Sequence, residues 1–185
     1  MENTYTFTLQ YPWDSNGCCP PAAFHLRRDS NGFHMHICVT EKDPRRMETR
    51  HLHFVHEDSC VEWFVNFAPG ICDRYFNFEI NANGAMYAAF RKDRFDYQLL
   101  TPDDLASMNI SARIHADTWE VSYTVPFSLI RNYIPGYCEE EQKILRANFY
   151  KCGDLTPYPH YGMWNVFFVD PPDFHRPEYF GEISF

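Results

Sequence analysis

The chain has 185 residues, a length typical of one domain, so we expect residues 1–185 to form a single unit. Aromatic side chains make up 18% of it, which suits the interior of a thin, two-layered fold. The formal net charge of −9 at pH 7 repels polyphosphates and anionic lipids, so neither nucleic acid nor a membrane is an expected partner.

The start of the chain and the cysteines bear on the compartment. The first residues lack the basic stretch and apolar core of a secretory signal, and no later apolar run has the length of a membrane span. We therefore expect a cytoplasmic location, or a secreted one if a signal was removed from this chain. The cysteines agree, because their number, seven, is odd and no Cys-x-x-Cys pair occurs. Cys38 and Cys60 are expected to be small buried residues in strands.

Alternating hydrophobic and polar residues, the pattern of a strand with one buried face, dominate the first half of the chain. The pattern predicts strands at residues 4–9, 33–40, 60–68 and 75–80. The Asn83-Gly84 pair favours the positive backbone φ angles of a tight hairpin. We therefore expect residues 78–80 and 85–90 to be paired antiparallel strands.

The second half continues with short elements and one long irregular segment. Thr101 is a suitable cap for a short helix, because Pro102 and two aspartates follow it. Further predicted elements are a hairpin of residues 110–114 and 119–125, a short helix or turn at 127–133, and strands at 143–151 and 182–185. The proline-rich residues 156–177 have no regular pattern, and a ligand site is one reason for such a loop to be ordered.

Short strands without the strand–helix–strand rhythm of a parallel sheet indicate the fold class. We predict an all-β protein, an antiparallel, jelly-roll-like β-sandwich with one or two short helices. Trp63 and Trp119 lie inside alternating strands and are expected in its core. Glu62 should point to the opposite side of its strand from Val61 and Trp63.

Five ordered segments carry a resemblance to a known family. They read DSCVEWF (58–64), YFNFEINANG (75–84), WEVSYTVPF (119–127), RANFYKCGD (146–154) and FHRPEYFG (174–181). In this order they resemble the family 9 carbohydrate-binding modules, from the strand at Phe33 to the end of the chain. The resemblance implies a DOMON-like β-sandwich that binds the end of a polysaccharide or a small sugar and is not itself a catalyst. It also implies a glycoside hydrolase partner, a link to carbohydrate catabolism, and structural calcium with ligands that these motifs do not place.

The chemistry of sugars supports the same interpretation. A pyranose presents C–H groups on its faces and hydroxyls at its rim, so its site needs an aromatic wall beside carboxylates, amides or guanidinium groups. Trp164 is the predicted wall, and Glu62 is the predicted acceptor of two hydroxyl protons. The family resemblance implies that a second ring clamps the sugar from the other side, near His56, which is a further predicted sugar-binding residue although the chain has no tryptophan there. The predicted sugar-binding residues also include Arg91, Asn148 and Lys151.

For these last three side chains, surface solubility or loop hydrogen bonding is an alternative explanation. Residues 175–178 are likewise explained either by ligand contact or by a turn that locks the last strand. The missing aromatic residue near His56 leaves open a further hypothesis, an interaction domain in which an ancestral sugar site has decayed.

A histidine cluster suggests a function of another class. His51, His53 and Glu57 have the His-x-His-x-x-x-Glu spacing of a cupin, in which alternate strand residues direct two imidazoles at one metal ion. A metal-dependent enzyme would use these three side chains as ligands. The glycines that flank a cupin motif are missing, however, because Arg45 and Phe64 occupy their places. Surface histidines on an edge strand are the alternative.

Overall fold

The computed structural model describes residues 4–13 and 17–185. Within these residues, its strands are β1 (Thr4–Thr8), β2 (Ala22–Arg28), β3 (Gly32–Thr40), β4 (Cys60–Asn66), β5 (Tyr75–Asn81), β6 (Met86–Arg91), β7 (Tyr97–Leu99), β8 (Ser111–Ile114), β9 (Thr118–Pro126), β10 (Ile144–Cys152), β11 (Tyr161–Met163) and β12 (Gly181–Ser184). The helices are α1 (Pro102–Ser107) and α2 (Phe127–Tyr133), and short 3-10 helices cover Val55–Glu57 and Pro177–Tyr179.

The strands form two antiparallel sheets, which confirms the predicted all-β sandwich. The smaller sheet has five strands in the order β1-β2-β3-β9-β8. The larger sheet has the order β11-β10-β4-β5-β6-β7, and β12 also pairs with β10. Strands β12 and β11 pair with successive parts of β10, the first with Ile144–Ala147 and the second with Tyr150–Cys152.

The core lies between the sheets, where most strands contribute alternate residues. Trp63 and Trp119 are fully buried there, as predicted from the alternation. Val61 and Trp63 belong to this core cluster, whereas Glu62 lies between them on the other face of β4. A second, smaller aromatic cluster covers the outer face of the larger sheet and is centred on Phe64, Tyr75 and Tyr150. Both faces of this sheet are therefore packed, and the outer one carries polar groups among the rings.

Local signals explain most element ends. Gly84 has a φ of +82°, which L side chains rarely adopt, and it closes the turn between β5 and β6 as expected from Asn83-Gly84. Thr101 and Asp104 cap the first turn of α1 reciprocally.

Strands β2, β7 and β11 were not predicted. Cys60 is buried, as expected for this residue, whereas Cys38 is only partly buried. None of the helices in the described residues is long and apolar enough to cross a membrane.

Candidate functional site

A cleft of about 280 Å³ opens on the outer face of the larger sheet. Its floor is made by side chains that project outward from β4, β5 and β6. Two loops form its sides: residues 54–56, which precede β4, and residues 172–175, which belong to the predicted irregular segment. Because the floor lies on paired strands, its side chains are held in fixed register.

Two carboxyl groups lie side by side on the floor. Glu62 and Glu79 are cross-strand partners in β4 and β5, and only 4% and 6% of their surfaces are exposed. Asn77 Nδ2 donates a hydrogen bond of 2.6 Å to Glu79 Oε1. The Cys152 thiol donates one of 3.0 Å to Glu62 Oε1. Each carboxyl group is thus oriented by a neighbouring side chain.

Arg91 supplies a fixed cation next to these acids. Its Nε donates to Asn77 Oδ1 at 2.7 Å, and its Nη2 donates to the Tyr87 hydroxyl at 3.0 Å. Its guanidinium carbon lies 4.3 Å from the centre of the Tyr97 ring, so the plane is also held by a cation–π contact. Only 5% of the residue is exposed. This packing leaves little rotamer freedom to lose when a ligand binds.

Aromatic rings form the sides of the cleft. Phe54 is 65% exposed and Tyr97 is 48% exposed, both unusually high fractions for such large apolar surfaces. Phe174 contributes from the other loop, and its ring stacks on Tyr150 with centroids 4.2 Å apart. Exposed rings beside buried polar groups match what a sugar face and its hydroxyl rim require.

Hydrogen bonds and an ion pair fix both loops. The Tyr75 hydroxyl lies 2.9 Å from His175 Nδ1, and the Tyr150 hydroxyl donates to the Phe174 carbonyl at 3.2 Å. Arg94 pairs with Asp173 at 3.1 Å and links the second loop to the segment after β6. The first loop is tied to the segment after β10, because the Asp154 N–H donates to the His56 carbonyl.

Burial and neighbouring charges set the protonation of the cleft. Burial raises the pKa of Glu62 well above its usual range, and the Cys152 and Glu79 side chains add to the effect. Glu79, 3.7 Å away, raises the pKa of His56 and favours its cationic form. Burial, aided by Arg91, lowers the pKa of His175 to about 3. His175 is therefore a neutral acceptor for the Tyr75 hydroxyl, and the neutral form of Glu62 is favoured.

The cleft brings together three of the six predicted sugar-binding residues. Glu62, His56 and Arg91 all line it. Glu62 points outward, as the strand pattern predicted. Trp164, Asn148 and Lys151 lie elsewhere.

Trp164 occupies the edge of the core between the sheets, which corrects the expectation of an exposed indole. It packs edge-on against Phe7 and Phe149, with ring centroids 4.8 and 5.6 Å away. It also covers Gly181 so closely that a methyl group there would lie 2.7 Å from the indole ring. The indole faces the inner surface of β10, whereas the cleft lies on the outer face of that sheet.

Asn148 and Lys151 make contacts that hold segments together. Asn148 is fully buried; its Nδ2 donates to the Asn165 carbonyl at 2.9 Å, and its Oδ1 accepts from the Asn165 N–H at 2.8 Å. Lys151 is also fully buried, with its Nζ 3.3 Å from Glu41 and 2.7 Å from His160. Burial lowers the pKa of Lys151. The alternative explanation by loop hydrogen bonding fits Asn148.

Sequence reasoning missed the rings that line the cleft. Phe54 lies two residues before His56, near the position at which the second aromatic wall was expected. The centroids of the Phe54 and His56 rings are 5.7 Å apart. Phe174 begins the motif FHRPEYFG, which signalled the segment but not the direction of the ring. Glu79 was also missed, although its position between the inward residues Phe78 and Ile80 indicates that it points outward.

The predicted cupin arrangement does not form. His51 and His53 lie in a turn and not on a strand, and His51 Nδ1 accepts a hydrogen bond from the Met86 N–H. Within residues 4–13 and 17–185, groups with the spacing of metal ligands are His36 with Cys38 and Glu120, and Cys60 with Glu62 and Cys152. Neither group is the all-oxygen set that calcium prefers, so neither fits the structural calcium implied by the resemblance.

Comparisons with known proteins agree with this architecture. The family described as Carbohydrate-binding family 9 matches residues 4–185. A "putative carbohydrate-binding protein" from Bacteroides uniformis has a similar structure, with a TM-score of 0.85 and 25% sequence identity. The similarity covers 98% of this chain and 85% of that one. None of the curated proteins compared with the chain is a match.

Two structures of a family 9 carbohydrate-binding module from Caldicellulosiruptor kristjanssonii share the fold. The complex with cellotriose has a TM-score of 0.64 and 12% identity, covering 98% of this chain and 82% of that one. The complex with glucose has a TM-score of 0.62 and 14% identity, covering 96% and 83%. Since the family match extends over nearly all of the chain, from residue 4 to residue 185, this protein belongs to carbohydrate-binding family 9.

Proposed function

We propose that the cleft binds the terminal residue of an oligosaccharide or a monosaccharide. One observation carries the proposal: the exposed rings of Phe54 and Tyr97 stand beside the buried polar groups of Glu62, Glu79 and Arg91 in one cavity. Few other ligands need an apolar face and a dense polar rim within the width of one ring.

Each group has a distinct part in this recognition. The Phe54 ring offers a flat surface for the C–H face of the sugar. Glu79 is an acceptor for hydroxyl protons, and Arg91 is a donor that its neighbours already hold in place. Glu62 in its neutral form both donates and accepts, as a sugar hydroxyl does. Because these groups are fixed before binding, little conformational entropy is lost on association.

The size of the cleft favours a chain end over the middle of a long chain. Its volume of about 280 Å³ is at the lower limit of about 300–1,000 Å³ for small-molecule sites. On one side of the cleft, the ion pair between Arg94 and Asp173 connects the segment after β6 to residues 172–175. Cellotriose and glucose, which are bound by structurally similar modules of this family, are therefore the first ligands to test.

We further infer that the module assists the breakdown of a polysaccharide beside a glycoside hydrolase, as the family resemblance implies. A gene for such an enzyme next to the gene of this protein would support the inference. A neighbourhood without any carbohydrate-active enzyme would count against it.

Calorimetry with cellotriose tests the binding proposal through Phe54→Ala. Stacking of a ring on a π-face contributes about 1–3 kcal/mol in related recognition, so we expect the affinity to fall at least fivefold. The unfolding midpoint should stay close to that of the wild type, because the ring is 65% exposed.

Phe168→Ala is the matched control. Phe168 is 66% exposed but is not part of the cleft, so its removal should leave cellotriose affinity unchanged. Equal losses in the two variants, or saturable binding that survives Phe54→Ala without change, would contradict the proposed role of the cleft wall.

A further inference from the structure

A second group of chemically reactive side chains lies on the opposite side of the molecule, on the outer face of the smaller sheet. Cys38 of β3 and Glu120 of β9 are direct cross-strand partners. His36 lies two residues before Cys38 and therefore shares its face. Neighbouring inward residues, Ile37 and Val121, belong to the core, which fixes the outward direction of this group.

The His36 ring is already oriented for coordination. Its Nδ1 is 2.8 Å from Ser122 Oγ, and the His25 ring stacks against it with centroids 5.9 Å apart. This arrangement turns Nε2 toward the other two side chains. Hydrogen bonding of the second ring nitrogen is the usual device that orients a metal-binding histidine.

The distances fit a small, nearly tetrahedral ion. His36 Nε2 lies 3.1 Å from Cys38 Sγ and 3.7 Å from Glu120 Oε2, and the three ligand atoms lie within 4.8 Å of one another. Zinc bound by sulfur at about 2.3 Å and by nitrogen or oxygen at about 2.0–2.2 Å separates its ligands by roughly 3.3–3.6 Å. Small side-chain rotations are enough to reach those separations.

We propose that His36, Cys38 and Glu120 bind one divalent transition-metal ion of the zinc class. Thiolate, imidazole and carboxylate together suit such an ion and not calcium or magnesium. The site is partly exposed, with 43% of the His36 side chain and 25% of the Glu120 side chain accessible, so a water molecule completes the coordination. Binding releases the thiol proton of Cys38 to the buffer.

The surroundings contain groups that compete with the ion. Arg113 Nη1 and His115 Nε2 lie 3.6 and 3.8 Å from Glu120 Oε1. Arg113 is 77% exposed and can move into solvent when the metal replaces it. The bound ion joins β3 to β9 at the centre of the smaller sheet. It should therefore stabilise the fold without touching the sugar cleft.

Cobalt(II) titration of the reduced, full-length protein tests the proposal, because a thiolate–cobalt bond gives an ultraviolet charge-transfer band. We expect one ion per chain, with Cys38→Ser abolishing the band and Glu120→Gln weakening binding at least tenfold. Zinc should raise the unfolding midpoint of the wild type and not that of Cys38→Ser. Cys18→Ser, which removes an exposed thiol elsewhere, should behave as the wild type does.

Three results would overturn the proposal. One is a wild-type protein without the band, and another is a band that persists in Cys38→Ser. The third is a band that disappears in Cys152→Ser, which would assign the ion to the buried group of Cys60, Glu62 and Cys152. Glu120→Gln keeps the test decisive if Cys38→Ser fails to fold, since Glu120 is partly exposed.

Discussion

At the scale of single residues, the two carboxyl groups on the floor of the cleft, Glu62 and Glu79, lie in different surroundings. Glu62 is buried beside a thiol, so burial raises its pKa. Glu79 lies next to it and pairs with His56, the pKa of which Glu79 raises. Two adjacent carboxylates would repel each other if both were ionised, and the unequal environments avoid this repulsion. The floor therefore offers Glu62, whose neutral form is favoured, beside a carboxyl group that pairs with His56.

Glu62→Gln tests this assignment through stability. The unfolded carboxyl group ionises near its ordinary pKa of about 4.3, whereas the folded group keeps its proton to higher pH. The folded state thus binds more protons between the two values, and wild-type stability falls as the pH rises through that window. Glutamine does not titrate, so the variant should gain stability relative to the wild type with rising pH.

Chemical denaturation across that pH range measures the difference. The gain should exceed the ~0.5 kcal/mol typical of surface substitutions. A constant difference between Glu62→Gln and the wild type at every pH would show that the carboxyl group titrates normally in the folded protein.

Residue-level prediction succeeded where strand alternation decides the direction of a side chain. Glu62 was placed on the outer face because Val61 and Trp63 had to be buried, and Arg91 lies on the same outer surface. It failed for Trp164, because an irregular segment has no period from which to read direction. The same limitation hid Phe54 and Phe174, since both rings lie in loops.

At the scale of elements, hydrophobic periodicity predicted most strands and missed short or edge ones. Strand β2 carries the alternation of Ala22, Phe24 and Leu26 and could have been found, although it directly follows a proline pair. Strands β7 and β11 have three residues each, too few for any period to show. The irregular segment after residue 156 is ordered by contacts to distant strands, which no local pattern records.

Trp164→Ala measures how that segment is held. The indole packs on Phe7 and Phe149, which are parts of β1 and β10, so we expect a loss of roughly 2–4 kcal/mol in the free energy of unfolding. Cellotriose affinity of the folded variant should stay within about twofold of the wild type. The opposite pattern, unchanged stability with binding lost, would return Trp164 to the sugar site.

At the scale of the whole molecule, the sandwich separates two surfaces of different chemistry. The outer face of the larger sheet combines rings with acids and a fixed arginine. The outer face of the smaller sheet carries the histidine, thiol and carboxylate of the proposed metal site. The core lies between these two surfaces. Residues of the sugar cleft therefore make no direct contact with residues of the proposed metal site. Ligands of the two faces should therefore bind independently.

Titration of isotope-labelled protein with cellotriose, followed by backbone amide chemical shifts, locates the binding surface directly. We expect saturable changes concentrated at residues 54–56 and 173–175 and at the floor residues Glu62, Glu79 and Arg91. Changes centred on Trp164 or on the outer face of the smaller sheet, or the absence of saturable changes with cellotriose and glucose alike, would contradict the assignment of the sugar site to this cleft.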